Sequence, residues 1–130
     1  MIINNTRGEI LRSDGQVLTE MTQIDILLDF AVCVYGSEGP VAHFHVLKGN
    51  SKYPDWETCI EIRHPKYFHH FGKESILNSK QKKDLMTFLS APHKYFSTKS
   101  NWQVLVIVWS MNNTEHQISP IPEMPDYMLL

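Results

Sequence analysis

The sequence predicts a single α+β domain, in which an antiparallel sheet of three or four strands packs against two helices. Its 130 residues suit one compact domain of ordinary size. The first half of the chain holds β-branched and aromatic runs separated by turn signals, which is typical of paired strands. In the second half, residues 80–90 and 101–112 have apolar residues at helical spacing. We take residues 1–117 as the domain and residues 118–130 as an extended, Pro-rich C-terminal tail.

The strands are predicted from runs of residues that favour extended structure. A turn signal at residues 13–16 favours a short hairpin or an irregular N-terminal arm. Residues 30–35 form a strand, residues 36–40 a turn, and residues 41–47 the antiparallel partner. Residues 56–63 alternate between two faces and form a third strand, which the following proline ends. The sheet therefore lies mainly between residues 30 and 63.

The first predicted helix has clear end signals. Asn78 or Ser79 offers an N-cap before residues 80–90, and the helix ends before Pro92 because the residue preceding a proline avoids helical geometry. Its apolar residues cluster on one side and its lysines on the other. The pattern predicts an amphipathic surface helix.

The second predicted helix, residues 101–112, is harder to separate from a strand. Its composition is strand-like, yet Trp102, Leu105, Val106 and Trp109 share one helical face, so we favour a helix. The other side is apolar as well. A helix that is apolar all round must be buried, either centrally or against another chain, which favours a homodimer or a protein partner.

The tail from residue 118 contains three prolines and cannot form a regular helix. We expect it to run extended over the surface and to dock in a groove, in cis or in trans. Trp102, Trp109 and Tyr127 are the residues we predict to contact a protein partner.

Charge is unevenly distributed along the chain. Eight basic side chains but only two acidic ones lie between residues 63 and 99, whereas both flanks are acidic. Such a segment can present a basic face to an acidic partner or to phosphate, or be neutralised when the parts of the chain pack together. Lys80, Lys82 and Lys83 span about one helical turn and could contact phosphates of a nucleic acid, unless they simply form a solvated face.

Compartment follows from what the sequence lacks. It shows no secretory signal and no apolar run long enough to span a bilayer, which predicts a cytoplasmic protein in a bacterium or an infected host cell. Cys33 and Cys59 lie in predicted strands, and we expect both to be reduced and buried.

The run of residues 41–46 carries the chemistry of greatest interest. Side chains alternate along a strand, so His43 and His45 share one face and Phe44 takes the other. Two imidazoles can begin a site for a divalent transition metal, the one cofactor we consider, but a competent site needs a third ligand. His69 and His70 are the first candidates for that ligand, and with His43 and His45 they make up the predicted site. Further candidates are His64, Glu57 and Glu61.

Two other interpretations of the histidine pair stay open. The imidazoles could line an open sheet face and hydrogen-bond to their neighbours, or act as acid and base near neutral pH. No nucleophile motif or phosphate-binding loop accompanies them, and we therefore expect a binding protein rather than an enzyme.

A longer pattern carries a resemblance. The run from Pro40 to Val46, the Tyr-Phe-His-His motif at residues 67–70, Trp109 and the segment Glu123–Tyr127 resemble short proteins of bacterial mobile elements and phages. The resemblance covers about residues 40–127. It implies a small α+β domain with a helical 101–112 segment, and it implies no particular activity.

These observations predict a small accessory protein of a phage or mobile element that acts by binding another protein, such as a host factor. The first alternative is a metal-binding protein or metal-dependent enzyme that uses His43 and His45 with His69 or His70. The second is nucleic-acid binding through the basic segment 63–99, where aromatic and basic residues alternate.

Overall fold

Five antiparallel strands follow one another across one sheet in chain order, and two helices come after them. The computed structural model describes residues 4–11, 17–26, 30–36, 38–49, 54–68 and 76–130, with the first two ranges described as backbone only. The strands and helices are β1 Asn4–Leu11, β2 Val17–Ile26, β3 Ala31–Tyr35, β4 His43–Gly49, β5 Pro54–Glu61, α1 Ser79–Ser90 and α2 Asn101–Asn112. The predicted α+β class is confirmed.

The N-terminal part extends the sheet beyond the three or four predicted strands. β1 and β2 pair antiparallel from Asn4↔Gln23 to Leu11↔Val17, so this part is the hairpin rather than the irregular arm. β2 also pairs antiparallel with β3, with a register shift between Gln23 and Asp25. Pairing satisfies backbone groups that a free arm would leave to water, which is the physical reason for the larger sheet.

Strands β3, β4 and β5 carry buried side chains on both faces of the sheet. Val32 and Val34 of β3, Phe44 of β4 and Ile60 of β5 face the helices and belong to the main core. On the opposite face lies a second, smaller cluster of Cys33, Tyr35 and Leu47. The predicted placement of Phe44 in the core is confirmed.

Helix α1 begins and ends at the predicted signals. Asn78 accepts a hydrogen bond from the backbone of Gln81, and the Gln81 side chain accepts one from the backbone of Asn78. This capping box satisfies two backbone donors at the helix start. Leu85, Phe88 and Leu89 form its buried face.

Helix α2 is a helix, as the periodicity favoured, and Ser100 and Gln103 form the same capping box at its start. Its apolar sides are covered within the chain itself. The tail crosses it, where the Trp102 indole donates to the Pro122 carbonyl at 2.9 Å and the Trp109 indole to the His116 carbonyl at 2.8 Å. Most of this helix is therefore buried within the chain, while Met111 stays exposed.

The tail runs largely extended, as predicted, but Tyr127 is completely buried rather than on the surface. Its hydroxyl donates toward the carbonyls of Glu61 and Ile62, and its ring packs edge-on against Phe44. Tyr127 thus fastens the tail to the end of β5. Among the described helices, we find none with the length and apolarity that a membrane crossing requires.

Candidate metal centre

His45 stands at the middle of a row of side chains that crosses three strands. Its register partner on β3 is Cys33 and its partner on β5 is Cys59. Directly opposite residues project to the same side of a sheet, so a thiol lies on each side of the imidazole. The two cysteines are two strand spacings apart, about 10 Å, which exceeds the Cα separation that a disulfide allows. Both are free and buried, as predicted.

Two glutamates hold His45, one at each ring nitrogen. Nε2 lies 2.7 Å from Oε1 of Glu38, and Nδ1 lies 2.6 Å from Oε2 of Glu57. The histidine side chain is fully buried and both carboxylates are nearly so. An ionised carboxylate only accepts hydrogen bonds, so with both glutamates ionised both nitrogens donate and the ring is an imidazolium.

The electrostatics agree with that assignment. Burial by itself lowers the pKa of His45, but hydrogen bonds and charges from Cys59, Glu38 and Glu57 outweigh burial and hold the pKa well above its usual value of 6.5. Burial raises the pKa of both thiols, that of Cys33 to about 12, and the neighbouring His45 partly offsets this effect at each of them.

His43 is in the opposite state. Its Nδ1 lies 2.8 Å from the carbonyl of Val41, so Nδ1 carries the proton and donates it. Burial lowers its pKa, which favours the neutral ring, and a hydrogen bond with Glu38 acts in the opposite direction. Nε2 is directed into the cluster, 3.5 Å from Oε1 of Glu38. A neutral imidazole with its lone pair directed inward is the form that binds a metal.

The surroundings fix these rings in place. Phe68 packs over His43 with ring centroids 4.3 Å apart, and Trp109 of α2 lies 5.6 Å away. Asn113, just after α2, accepts a hydrogen bond from the backbone of Glu38 and donates one to the carbonyl of Tyr35. The connection that carries Glu38 is thereby tied to the end of α2.

Three side chains in this cluster converge as metal ligands. One ligand atom each from His43, His45 and Cys59 lies within 4.8 Å of the other two. A tetrahedral zinc ion, with bonds of about 2.0 Å to nitrogen and 2.3 Å to sulfur, needs its ligands roughly 3.3–3.8 Å apart. The Sγ of Cys59 already lies 3.4 Å from Nδ1 of His45.

The predicted face of the histidine pair is confirmed, but that face is closed rather than open: His43 is 1% exposed and His45 is fully buried. The third ligand differs from the first candidates, since His69 and His70 lie outside the described residues. Glu57, one of the further candidates for the third ligand, does contact His45. His64 is exposed, in an open cleft of about 350 Å³ beside the start of β4.

Sequence reasoning missed Cys59 and Glu38. From the sequence, Cys59 has the pattern of a small buried hydrophobe, and Glu38 lies in a predicted turn. The available signal was register: a short connection between the strands containing His45 and Cys59 brings them opposite each other. Glu61, another ligand candidate, lies opposite His43 in register and contacts Lys66 at 3.9 Å.

The other predicted site residues lie elsewhere. The three residues predicted to contact a partner, Trp102, Trp109 and Tyr127, are all buried in the core. Of the α1 lysines, Lys80 pairs with Asp84 at 2.8 Å, Lys82 donates to the terminal residue Leu130 at 2.5 Å, and Lys83 is exposed.

No family model, no curated protein and no solved structure matches this chain significantly. The interpretation of the site therefore rests on its own geometry.

Proposed function

We propose that this protein binds one divalent transition metal ion through His43, His45 and Cys59, and that the ion is a structural centre. The observation that carries the proposal is the convergence of two imidazoles and a thiol, within 4.8 Å of one another, in the interior. Nitrogen and sulfur ligands together favour zinc and its neighbours over magnesium or calcium.

The glutamates supply what the three ligands lack. A structural zinc site needs a fourth ligand, and a histidine ligand needs an acceptor for its other N–H. Glu38 and Glu57 lie at opposite nitrogens of His45. If the metal binds Nδ1, which faces Cys59, Glu57 is the adjacent fourth ligand and Glu38 orients the ring. If the metal binds Nε2, Glu38 is the adjacent fourth ligand and Glu57 orients the ring.

Charge also favours a cation. Without metal, two carboxylates and one imidazolium leave one net negative charge buried, which is costly in a low-dielectric interior. A divalent ion that replaces one proton of His45 makes the cluster neutral. If Cys59 then ionises, the cluster carries one net negative charge, the same as in the metal-free protein. The bound metal lowers the cost of forming that thiolate.

Burial favours a structural rather than a catalytic ion. His45 and Cys59 have no exposed surface and His43 almost none. A hydrolytic metal keeps one coordination position open to water or substrate, whereas structural sites are closed by protein ligands.

The test is metal titration of the reduced, untagged protein. We expect one zinc ion per chain by elemental analysis. Cobalt should give the same stoichiometry, with a thiolate-to-cobalt charge-transfer band. Cys59→Ser should abolish that band and weaken binding at least tenfold.

Cys33→Ser is the matched control, because Cys33 is equally buried and also opposes His45, but lies outside the ligand group. It should keep the cobalt spectrum. Absence of stoichiometric metal in the wild type, or equal loss in both variants, would contradict the proposal.

The protein-binding function predicted for a phage or mobile-element accessory protein stays a prediction. The residues proposed for that contact are buried in this fold, so a partner would have to use other surfaces.

A further inference from the structure

The connection between α1 and α2 is a short, tightly closed loop. Pro92 and Ser100 form a bridge at its base. Above them, the backbone of His93 donates to the carbonyl of Lys99 at 2.8 Å, and the backbone of Lys99 donates to the carbonyl of Phe96 at 2.8 Å. These bonds close the loop at its base.

Two aromatic side chains of this loop are largely exposed, although each ring also contacts that of His93. Tyr95 is 58% exposed and Phe96 is 52% exposed. Their backbones are anchored from beneath by the buried His93, whose Nδ1 accepts from the N–H of Tyr95 at 3.2 Å and that of Phe96 at 3.4 Å. The loop therefore presents two adjacent rings to solvent from a fixed backbone, an arrangement the core does not require.

The charged side chains of the loop itself all have one sign. Lys94 and Lys99 are exposed on either side of them, and the Nζ of Lys94 lies 5.4 Å from the centroid of the Tyr95 ring. The chain has no acidic residue from Leu85 to Thr114. An anionic ligand could approach this loop without meeting a carboxylate on the loop or on either adjoining helix stretch.

We propose that the loop of residues 93–99 binds single-stranded nucleic acid. The two rings offer stacking platforms for unpaired bases, and the flanking lysines are placed to contact the phosphates between them. Ser97 and Thr98, at the tip, add hydroxyl groups rather than the apolar bulk that a membrane-inserting loop needs. Stacking uses the flat face common to all bases, so binding should tolerate sequence changes. The proposal is independent of the metal centre.

This loop differs from the α1 lysines considered from sequence. The loop carries aromatic rings and lysines together, with the Nζ of Lys94 over the ring of Tyr95.

The experiment is fluorescence anisotropy with labelled oligo-dT and oligo-U probes of about 20 nucleotides, long enough for several stacking contacts. We expect the wild type to bind both, with affinity falling as salt rises. The Tyr95→Ala/Phe96→Ala double variant should bind about tenfold or more weakly. Lys94→Glu/Lys99→Glu should reduce the slope of log affinity against log salt by about 1.4, the value for two lost phosphate contacts on a single strand.

The controls are Met111→Ala, another exposed large apolar residue, and Lys83→Glu, an exposed lysine on α1. Both should bind as the wild type does. All these positions are exposed, so melting temperatures should be unchanged. The proposal is overturned if the wild type binds neither probe, if it binds anionic vesicles but not the oligonucleotides, if the aromatic double variant keeps full affinity, or if Lys83→Glu weakens binding as much as the loop variants.

Discussion

Replacing His45 by leucine should strongly destabilise the metal-free protein, because it removes the cation between two buried carboxylates. Unit charges about 4 Å apart at an effective dielectric of about 20 attract by about 4 kcal/mol, and His45 makes two such pairs. Desolvation of the imidazolium offsets much of that sum. Removing one partner of a buried charge pair costs about 3–5 kcal/mol, which is our expected loss. For a chain of this length it corresponds to a fall of roughly 10–25 °C in melting temperature.

The assay is urea unfolding in the presence of a chelator, followed by circular dichroism. A triple variant, Glu38→Gln/His45→Leu/Glu57→Gln, distinguishes the loss of the charge pairs from the loss of packing. It lacks the two carboxylates that His45→Leu leaves buried without a cation. It should recover at least half of the lost stability, or fold where His45→Leu does not. His64→Leu, at an exposed histidine, should change stability by less than about 0.5 kcal/mol. A loss below about 1 kcal/mol for His45→Leu, well under the usual cost of breaking a buried pair, would refute the reasoning. So would a triple variant no more stable than the single one.

Three further predictions concern pH, the tail and a helix cap. Because the folded protein raises the pKa of His45, the stabilisation from its charge is fully present below pH 6.5 and is lost as the pH rises through the folded-state pKa. In urea unfolding above neutral pH, the metal-free wild type should therefore lose stability relative to the triple variant. The same pH dependence for both proteins would contradict this. Tyr127→Phe should cost about 1–2 kcal/mol in urea unfolding because two strand-end carbonyls lose their donor, whereas Leu129→Ala, at an exposed neighbour, should be nearly neutral; equal effects would exclude this anchoring. Asn78→Ala should cost about 1 kcal/mol in thermal unfolding through loss of the N-cap, and the exposed Thr87→Ala in the same helix should cost clearly less; no difference between them would count against the cap.

Features set by neighbouring residues could be predicted from the sequence. Both helices begin at capping boxes, and the residues of a capping box lie within four consecutive positions. The predicted starts of α1 and α2 are therefore close to the observed ones. Strand alternation is equally local. It predicts His43 and His45 on one face and Phe44 in the core, as the structure has them.

Features that depend on distant pairing could not be predicted in the same way. Cys59 becomes a ligand candidate only when β4 and β5 pair in one register, because a shift by one residue would turn its side chain to the other face. Glu38 reaches His45 because Asn113, 75 residues further along, fixes its backbone. The burial of Trp102 and Trp109 depends on a tail whose path the sequence leaves open. Each of these requires the tertiary fold.

X-ray absorption at the zinc K-edge of the zinc-loaded protein tests the central claim most directly. The account predicts one sulfur at about 2.3 Å and nitrogen or oxygen ligands at about 2.0–2.1 Å, with imidazole scattering from two histidines. The sulfur shell should persist in Cys33→Ser and disappear in Cys59→Ser. A zinc ion without a sulfur shell, or a protein that retains no zinc after desalting, would contradict a centre built on His43, His45 and Cys59.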